Sequence, residues 1–521
     1  MKWPLIEKLP RANDTSSNYK WLVLLTTMVG TFMAVLDATI VTVALPKLMA
    51  AFSSPIYIIE WVLTAYLLIF GIMLPTSGWL AGRFGYKTIF ITGLLLFTLG
   101  SFLCSISWNI GTLLFFRVLQ GGGAGMIMPV GMAIVTRVFP PQQRGMALGF
   151  WSISASASVS LGPAIGGYLI DNFSWHMIFD VNVPVGILGI VLSGIVLKQF
   201  KIRQVSHFDL LGFLAMSAFL TGLLLALSNG NASWNTGGWT SRFIQISLGC
   251  SALGLIIFIL TELTTSHPLI DLTLFNTRNF TLTNIVLFIF GIALFGSNFL
   301  IPVYLQDALN YTPFQSGMVF LPVGILLGLT SPIAGYTTDR YSARIPVLIG
   351  LCLLTYSFYQ YRALSLITEN SQILLPLFLR GIGMGLLFSP LTTLALQGID
   401  AEKLATASGI INVIRQIGGS FGIAIFGTLQ TQRTIFHTLR IGEDLSRYPE
   451  LLNKLKEGLT VYVSTIALQV PTQIPQQVEA IIIQYAQSKA FVLSVDDIFF
   501  LVSIIMATAL IPTLLLKSGK R

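Results

Sequence analysis

Apolar runs long enough to cross a bilayer as a helix, about 20 residues each, recur along this chain and are bounded by Gly, Pro or charge. Six come first: 21–46, 58–80, 88–107, 112–135, 146–170 and 177–197. Two more follow at 210–228 and 243–263. A second set of six lies at 282–305, 316–336, 345–364, 373–396, 405–430 and 498–516. The pattern predicts fourteen transmembrane helices and an all-α polytopic membrane protein. The long polar stretch 431–497 is expected to be partly helical and to lie near the outer surface. Four parts follow from this layout: a cytoplasmic N-terminal segment 1–20, a six-helix bundle 21–205, an inserted helix pair 206–270, and a second six-helix bundle 271–521.

Composition agrees. Of 521 residues, 54% are hydrophobic and only 10% charged, with a mean hydropathy of +0.79. A soluble protein carries about 25% charged residues, so this chain is not a soluble enzyme, a secreted disulfide scaffold or a disordered chain. The net charge of +9 sits in short loops rather than in a basic stripe, so nucleic acid is not an expected partner. Cys104, Cys250 and Cys352 are isolated within apolar runs and make neither a metal spacing nor a disulfide framework. With four His in the chain, no metal site is expected, and without a phosphate-binding Gly-x-x-x-x-Gly-Lys motif no ATP is expected either. Residues 1–20 are polar and the first apolar run is too long for a secretory signal, so it reads as a retained first helix.

Lys and Arg placement predicts orientation. With the N-terminus inside, eighteen Lys and Arg fall in inner segments, against only Lys47, Arg242 and Arg362 in short outer connections. Both termini are therefore expected to be cytoplasmic.

The two six-helix sets resemble each other. Gly78-Trp-Leu-Ala-Gly-Arg83-Phe-Gly85-Tyr-Lys87 corresponds to Gly335-Tyr-Thr-Thr-Asp339-Arg340-Tyr-Ser-Ala-Arg344, an offset of 257. Ser160 to Gly167 corresponds to Ser420 to Gly427 at 260, and Arg117 to Arg380 at 263. Three ordered landmarks at nearly constant offset indicate a duplicated unit, as in transporters built from parallel repeats.

These motifs carry a resemblance. Leu36-Asp37-Ala-Thr39 through Pro46, the Gly78–Lys87 turn, Arg117-Val-Leu-Gln120 with its glycines, Gly162-Pro163-Ala-Ile-Gly166-Gly167, and Trp175 through Asn182 to Gly186 resemble the major facilitator superfamily. Within it they resemble the fourteen-helix drug:proton antiporters, the EmrB/QacA-type multidrug efflux transporters. The resemblance implies a proton-coupled antiporter of the inner (plasma) membrane that exports hydrophobic or amphipathic compounds by alternating access, without a cofactor. Where the host is Gram-negative, it also implies a periplasmic EmrA-type adaptor and an outer-membrane channel as partners, with 431–497 as a docking surface.

Asp37 is the first candidate for proton coupling. It lies about 16 residues into the first run, roughly 24 Å along a helix, where a carboxylate is costly and marks an ion or proton path. The other reading is a permanent structural pair with Arg117 or a hydroxyl. Arg117, which must face the bundle interior, is either a tuner of a nearby carboxylate or a donor to backbone carbonyls. Asp180 is either a second protonatable site or an interfacial acid. Arg380 and Arg415 are read as structural. Thr39, Gln120 and Asn182 join Asp37 as candidates for the substrate cavity. Gly162, Pro163, Gly166 and Gly167 read as an antiporter motif or as a generic small-residue packing face. In the Gly78–Lys87 turn, Gly82 stands where the family carries an acid, whereas the second copy has Asp339-Arg340. Either the first-copy gate is held differently or the outward-facing state is less strongly favoured. The rivals to drug export are a dedicated exporter or importer of one metabolite, a membrane enzyme, which would need clustered polar residues, and a channel.

Overall fold

In a bilayer every backbone amide must be satisfied within the chain, and the apolar runs answer this by becoming helices. The structure, a computed structural model, describes residues 18–199, 208–232, 234–265, 268–368, 370–400, 403–447, 449–466 and 474–516. Its long helices are α1 (Tyr19–Phe52), α2 (Trp61–Phe84), α3 (Tyr86–Ser105), α4 (Ile110–Val138), α5 (Arg144–Asn172) and α6 (Met177–Val196). They continue with α7 (Leu210–Asn229), α8 (Arg242–Thr264), α9 (Arg278–Asp307), α10 (Phe314–Arg340), α11 (Arg344–Gln360), α12 (Asn370–Leu396) and α13 (Leu404–Arg447). The last two are α14 (Pro449–Ile466) and α15 (Ile474–Thr508).

Among the described residues, 12 helices are long and apolar enough to cross a membrane. The fifth and eleventh expected runs are helical too, as the serine- and glycine-rich α5 and the 17-residue α11. The first segment is described only from Asn18, and the boundary expected at 205/206 lies outside the described residues.

Helices α1 to α6 pack as one bundle, and α9 to α13 with α15 as a second. The inserted α7 and α8 pair with each other, and α7 leans on both α2 and α13. It does so through Leu223 and Leu227 against Ala424, and through Asn231, whose Nδ2 donates to Thr428 Oγ1 at 2.8 Å. By contrast α8 exposes Ile246, Leu253, Ile256, Leu260 and Leu263, as a lipid-facing helix does.

The bundles meet along two seams, α5 with α10 and α2 with α13. Both are closest near the face where α1 begins and α15 ends, here called the terminal face. On the first seam a Cβ on Gly335 would stand 2.1 Å from the Gly145 carbonyl oxygen, and one on Gly149 2.5 Å from that of Ser331. Only glycine permits such an approach, and the hydroxyls of Ser152 and Ser331 then meet at 2.6 Å. Asp339 completes the seam. Its carboxylate accepts from the backbone N–H of Gly145 and of Met146, both at 2.9 Å, capping the start of α5 across the bundle interface. On the second seam, Gly78 brings α2 against the Thr406 backbone, where a Cβ would have 2.7 Å.

The two copies of the repeated turn therefore do different work. In the first copy, without an acid at Gly82, Gly78 meets the second bundle while Gly85 and Lys87 are tied to their own. Lys87 Nζ donates to the Gly194 carbonyl at 2.7 Å, and Gln199 packs on Gly85, whose φ of +91° favours glycine. Arg83 is exposed there. Asp339 of the second copy makes the crossing, while exposed Arg340 donates to the Tyr336 hydroxyl at 2.6 Å.

At the opposite face the structure departs from the expected surface-lying segment. Helix α13 runs on unbroken for 44 residues and α15 for 35. At 1.5 Å per residue, 44 residues span roughly 66 Å, about twice a hydrocarbon core of about 30 Å. No proline falls within Leu404–Arg447 to stop the helix. The projecting parts brace each other. Asp497 accepts from Arg433 Nε at 2.7 Å and lies 2.7 Å from His437 Nε2, and Lys456 Nζ reaches Glu479 at 3.2 Å.

The α5–α10 seam is directly testable. Ser152→Cys with Ser331→Cys should crosslink on mild oxidation. Adding Gly335→Leu, which no rotamer accommodates, should lower the crosslinked fraction at least severalfold on a denaturing gel.

Candidate functional site

A carboxylate inside a bilayer needs donors, and α1 delivers Asp37 to a pocket of them in the first bundle. Asp37 and Arg117 are both fully buried. Arg117 Nη1 donates to Asp37 Oδ2 at 2.5 Å. Gln120 Nε2 donates to Asp37 Oδ1 at 2.8 Å, and Asn182 Nδ2 donates to the same oxygen at 3.0 Å. Arg117 and Gln120 share a face of α4 at i and i+3, so Arg117 Nη1 also reaches Gln120 Oε1 at 2.7 Å. Arg117 Nε is held by the Val62 carbonyl at 3.0 Å. Asn182 Nδ2 is shared with Ser101 Oγ at 3.1 Å. Among the described residues, two atoms of this network have no hydrogen-bond partner, Arg117 Nη2 and Asn182 Oδ1.

The network thus gathers Asp37, Arg117, Gln120 and Asn182 from three helices. It does not gather Asp180. That residue is half-buried just before the break at Val181, and none of the network's hydrogen bonds goes to it; its helix contributes Asn182 instead. Two residues, about 200° of helical rotation, separate the two side chains, which decides which faces inward.

A cavity of about 370 Å³ lies between the bundles, within the size range of sites for drug-sized molecules. From the first bundle it is lined by Ala38, Thr39, Tyr66 and Phe70, and from the second by Asn298, Phe320, Phe388 and Arg415, among others. The inserted α7 adds Leu227 and Ser228. Of the expected cavity residues only Thr39 lines it, while Asp37, Gln120 and Asn182 lie behind the wall. Tyr66 is that wall. It lines the cavity, its hydroxyl donates to the Ala34 carbonyl at 3.0 Å, and Arg117 stands 4.3 Å from its ring centroid on the other side.

The Gly162 motif sits beside this site. A Cβ on Gly162 would come 2.0 Å from Thr39 Oγ1, and one on Gly166 would crowd Ile40, so α5 packs directly on the α1 turn after Asp37. Thr39 Oγ1 in turn donates to the Leu36 carbonyl at 2.8 Å. Gly167 lies against the second bundle, where a Cβ would be 3.8 Å from Phe314. The side chain of Pro163 lies outside the described residues. Tyr66 and Asn298 carry no signal in the sequence: an aromatic or amide among many on apolar helices shows its place only when the helices pack.

Two helical bundles related by duplication, packed face to face around an apolar cavity with a buried ion pair beside it, define a polytopic membrane transporter rather than an enzyme. The Major Facilitator Superfamily sequence profile matches residues 27–423. The chain belongs to that superfamily, in its multidrug efflux branch. The multidrug export protein EmrB of Haemophilus influenzae is 31% identical over 484 residues, covering 92% of each chain. The multidrug resistance protein B homolog of Mycobacterium tuberculosis is 35% identical over 413 residues, covering 78% of this chain and 75% of its own. A crystal structure of the human organic anion transporter MFSD10 (TETRAN) superposes with a TM-score of 0.57 at 13% identity, covering 94% of this chain and 99% of that one. At that identity the likeness concerns the fold alone.

Removing one partner of a buried pair leaves an unpaired charge, which costs about 3–5 kcal/mol. Arg117→Ala should therefore lower the thermal unfolding midpoint of the purified protein strongly. Asp37→Asn combined with Arg117→Gln should recover much of that loss, and a double-mutant cycle on the unfolding midpoints measures the coupling.

Proposed function

We propose that the protein is a proton-coupled antiporter that exports hydrophobic, chemically varied compounds across the inner (plasma) membrane by alternating access. The observation that carries this reading is the place of Asp37, buried with Arg117 one aromatic ring away from the central cavity. A proton arriving on Asp37 removes the charge that Arg117 pairs with. Arg117 is then a buried cation without a counter-charge, a state disfavoured by several kcal/mol. The conformation in which Arg117 meets water or another partner gains by that amount, which is how protonation biases two states. Tyr66 touches both Arg117 and the cavity, so a substrate displacing the ring and a proton displacing the pair act on one element.

The seams supply the second part. In this conformation the terminal end is closed by backbone-to-backbone contact and by the Asp339 cap on α5. The Lys and Arg placement assigns that face to the cytoplasm, with both termini there. The first half of the cycle would part α5 from α10, exposing the Asp339 carboxylate and the α5 amides to water, which serves both. Such a gate opens at small net cost, because each broken hydrogen bond is replaced.

The projecting parts of α13, α14 and α15 supply an outer platform. In a Gram-negative host this would be the docking surface for a periplasmic adaptor of the EmrA type leading to an outer-membrane channel.

In liposomes with an imposed proton gradient, the purified protein should move a hydrophobic dye against its concentration gradient, and Asp37→Asn should abolish that drive while dye binding persists. Undiminished gradient-driven transport in Asp37→Asn would remove this residue from the coupling step.

A further inference from the structure

The two halves of the chain treat the same buried arginine differently. In the first half Arg117 has Asp37. Its counterpart Arg380 lies 263 positions later, and the residue it meets on α9 is Asn298, 261 positions after Asp37. Arg380 Nη2 donates to Asn298 Oδ1. The second bundle therefore carries a buried guanidinium at the corresponding sequence position, but an amide stands where the acid would be. Arg380 is 1% exposed, and its Nε and Nη1 have no hydrogen-bond partner among the described residues.

A second arginine deepens the imbalance. Arg415, on α13, lines the cavity, and its Nη2 donates to the neutral Asn412 Oδ1 at 2.6 Å, with the guanidinium carbon 4.8 Å from the Phe388 ring centroid. None of the ion pairs among the described residues includes Arg380 or Arg415. Among the described residues lining the cavity there is no carboxylate, and Arg415 is the one charged side chain. Cations this deep in a bilayer ordinarily face a paired acid or a water-filled path. Here the remaining lining is apolar and aromatic, with a few amides and hydroxyls.

Resting on the export reading above, we infer that the cavity takes amphiphilic organic anions: a drug-sized apolar body bearing one carboxylate or sulfonate, received by Arg415 with Asn298 and Arg380 behind it. The anion supplies the counter-charge that the second bundle lacks. The guanidinium fork matches the two oxygens of a carboxylate, and the aromatic rings of Phe320 and Phe388 flank the apolar body. A quaternary ammonium of equal size would instead place a third cation beside two unpaired ones.

The test compares three dyes that share one fluorophore: dansylglycine (anion), dansylamide (neutral) and dansylcadaverine (cation), titrated at neutral pH against the purified full-length protein in detergent. Dansylglycine should bind at least about 10-fold tighter than the other two, the scale of one charge-assisted contact. Arg415→Gln should weaken dansylglycine at least 10-fold more than dansylamide, and Arg415→Lys should recover part of it. Asn298→Asp, which gives Arg380 the acid found in the first half, should also weaken dansylglycine selectively. Equal affinity for the three dyes, or equal loss for all of them in Arg415→Gln and Asn298→Asp, overturns the inference. Binding and coupling separate cleanly. Gradient-driven transport of dansylamide without anion preference would leave the Asp37 reading intact, and anion preference without gradient-driven transport would remove only the coupling.

Discussion

A charge inside a bilayer must be paired, and the organisation of this protein follows from how its few buried charges meet that demand. Asp37 and Arg117 pair in the first bundle, at 2.5 Å and without exposure. Gln120, Asn182 and Ser101 exist around them as a polar cage in an otherwise apolar bundle. The pair is neutral as a unit and tolerable in hydrocarbon, yet each member alone is not.

The second constraint is proximity. Small residues let α5 and α10 approach until backbone touches backbone, and Asp339 then finds the free amides at the start of α5. Toward the opposite face the same helices and their partners α2 and α13 part enough to leave the cavity, with α7 closing its side. Contact at one end and a cavity toward the other are properties of the same seams. A rocking of the bundles would exchange them without remaking either hydrophobic core.

Between the halves the duplication is structural rather than chemical. The repeated turn keeps its acid only in the second copy, and the buried arginine keeps its acid only in the first. The first bundle thus holds a buried ion pair, and among the described residues the second holds guanidinium groups without an acid, Arg415 lining the cavity.

Much of this was legible in the residues alone. Apolar run length marked the membrane-length helices, though not α14 or the start of α15, because hydrocarbon leaves the backbone no other way to satisfy its amides. The landmark offsets showed the duplication, and the cost of an isolated acid singled out Asp37. Other matters needed the packed chain. Asn182 rather than Asp180 faces the ion pair, since helix phase after a break cannot be read from composition. Tyr66 separates the pair from the cavity, and Asn298 stands opposite Arg380, across 82 residues of sequence. Local chemistry determines which segments enter the membrane and which charges they carry. Which charge meets which partner is a relation between helices far apart in the chain, and only their packing decides it.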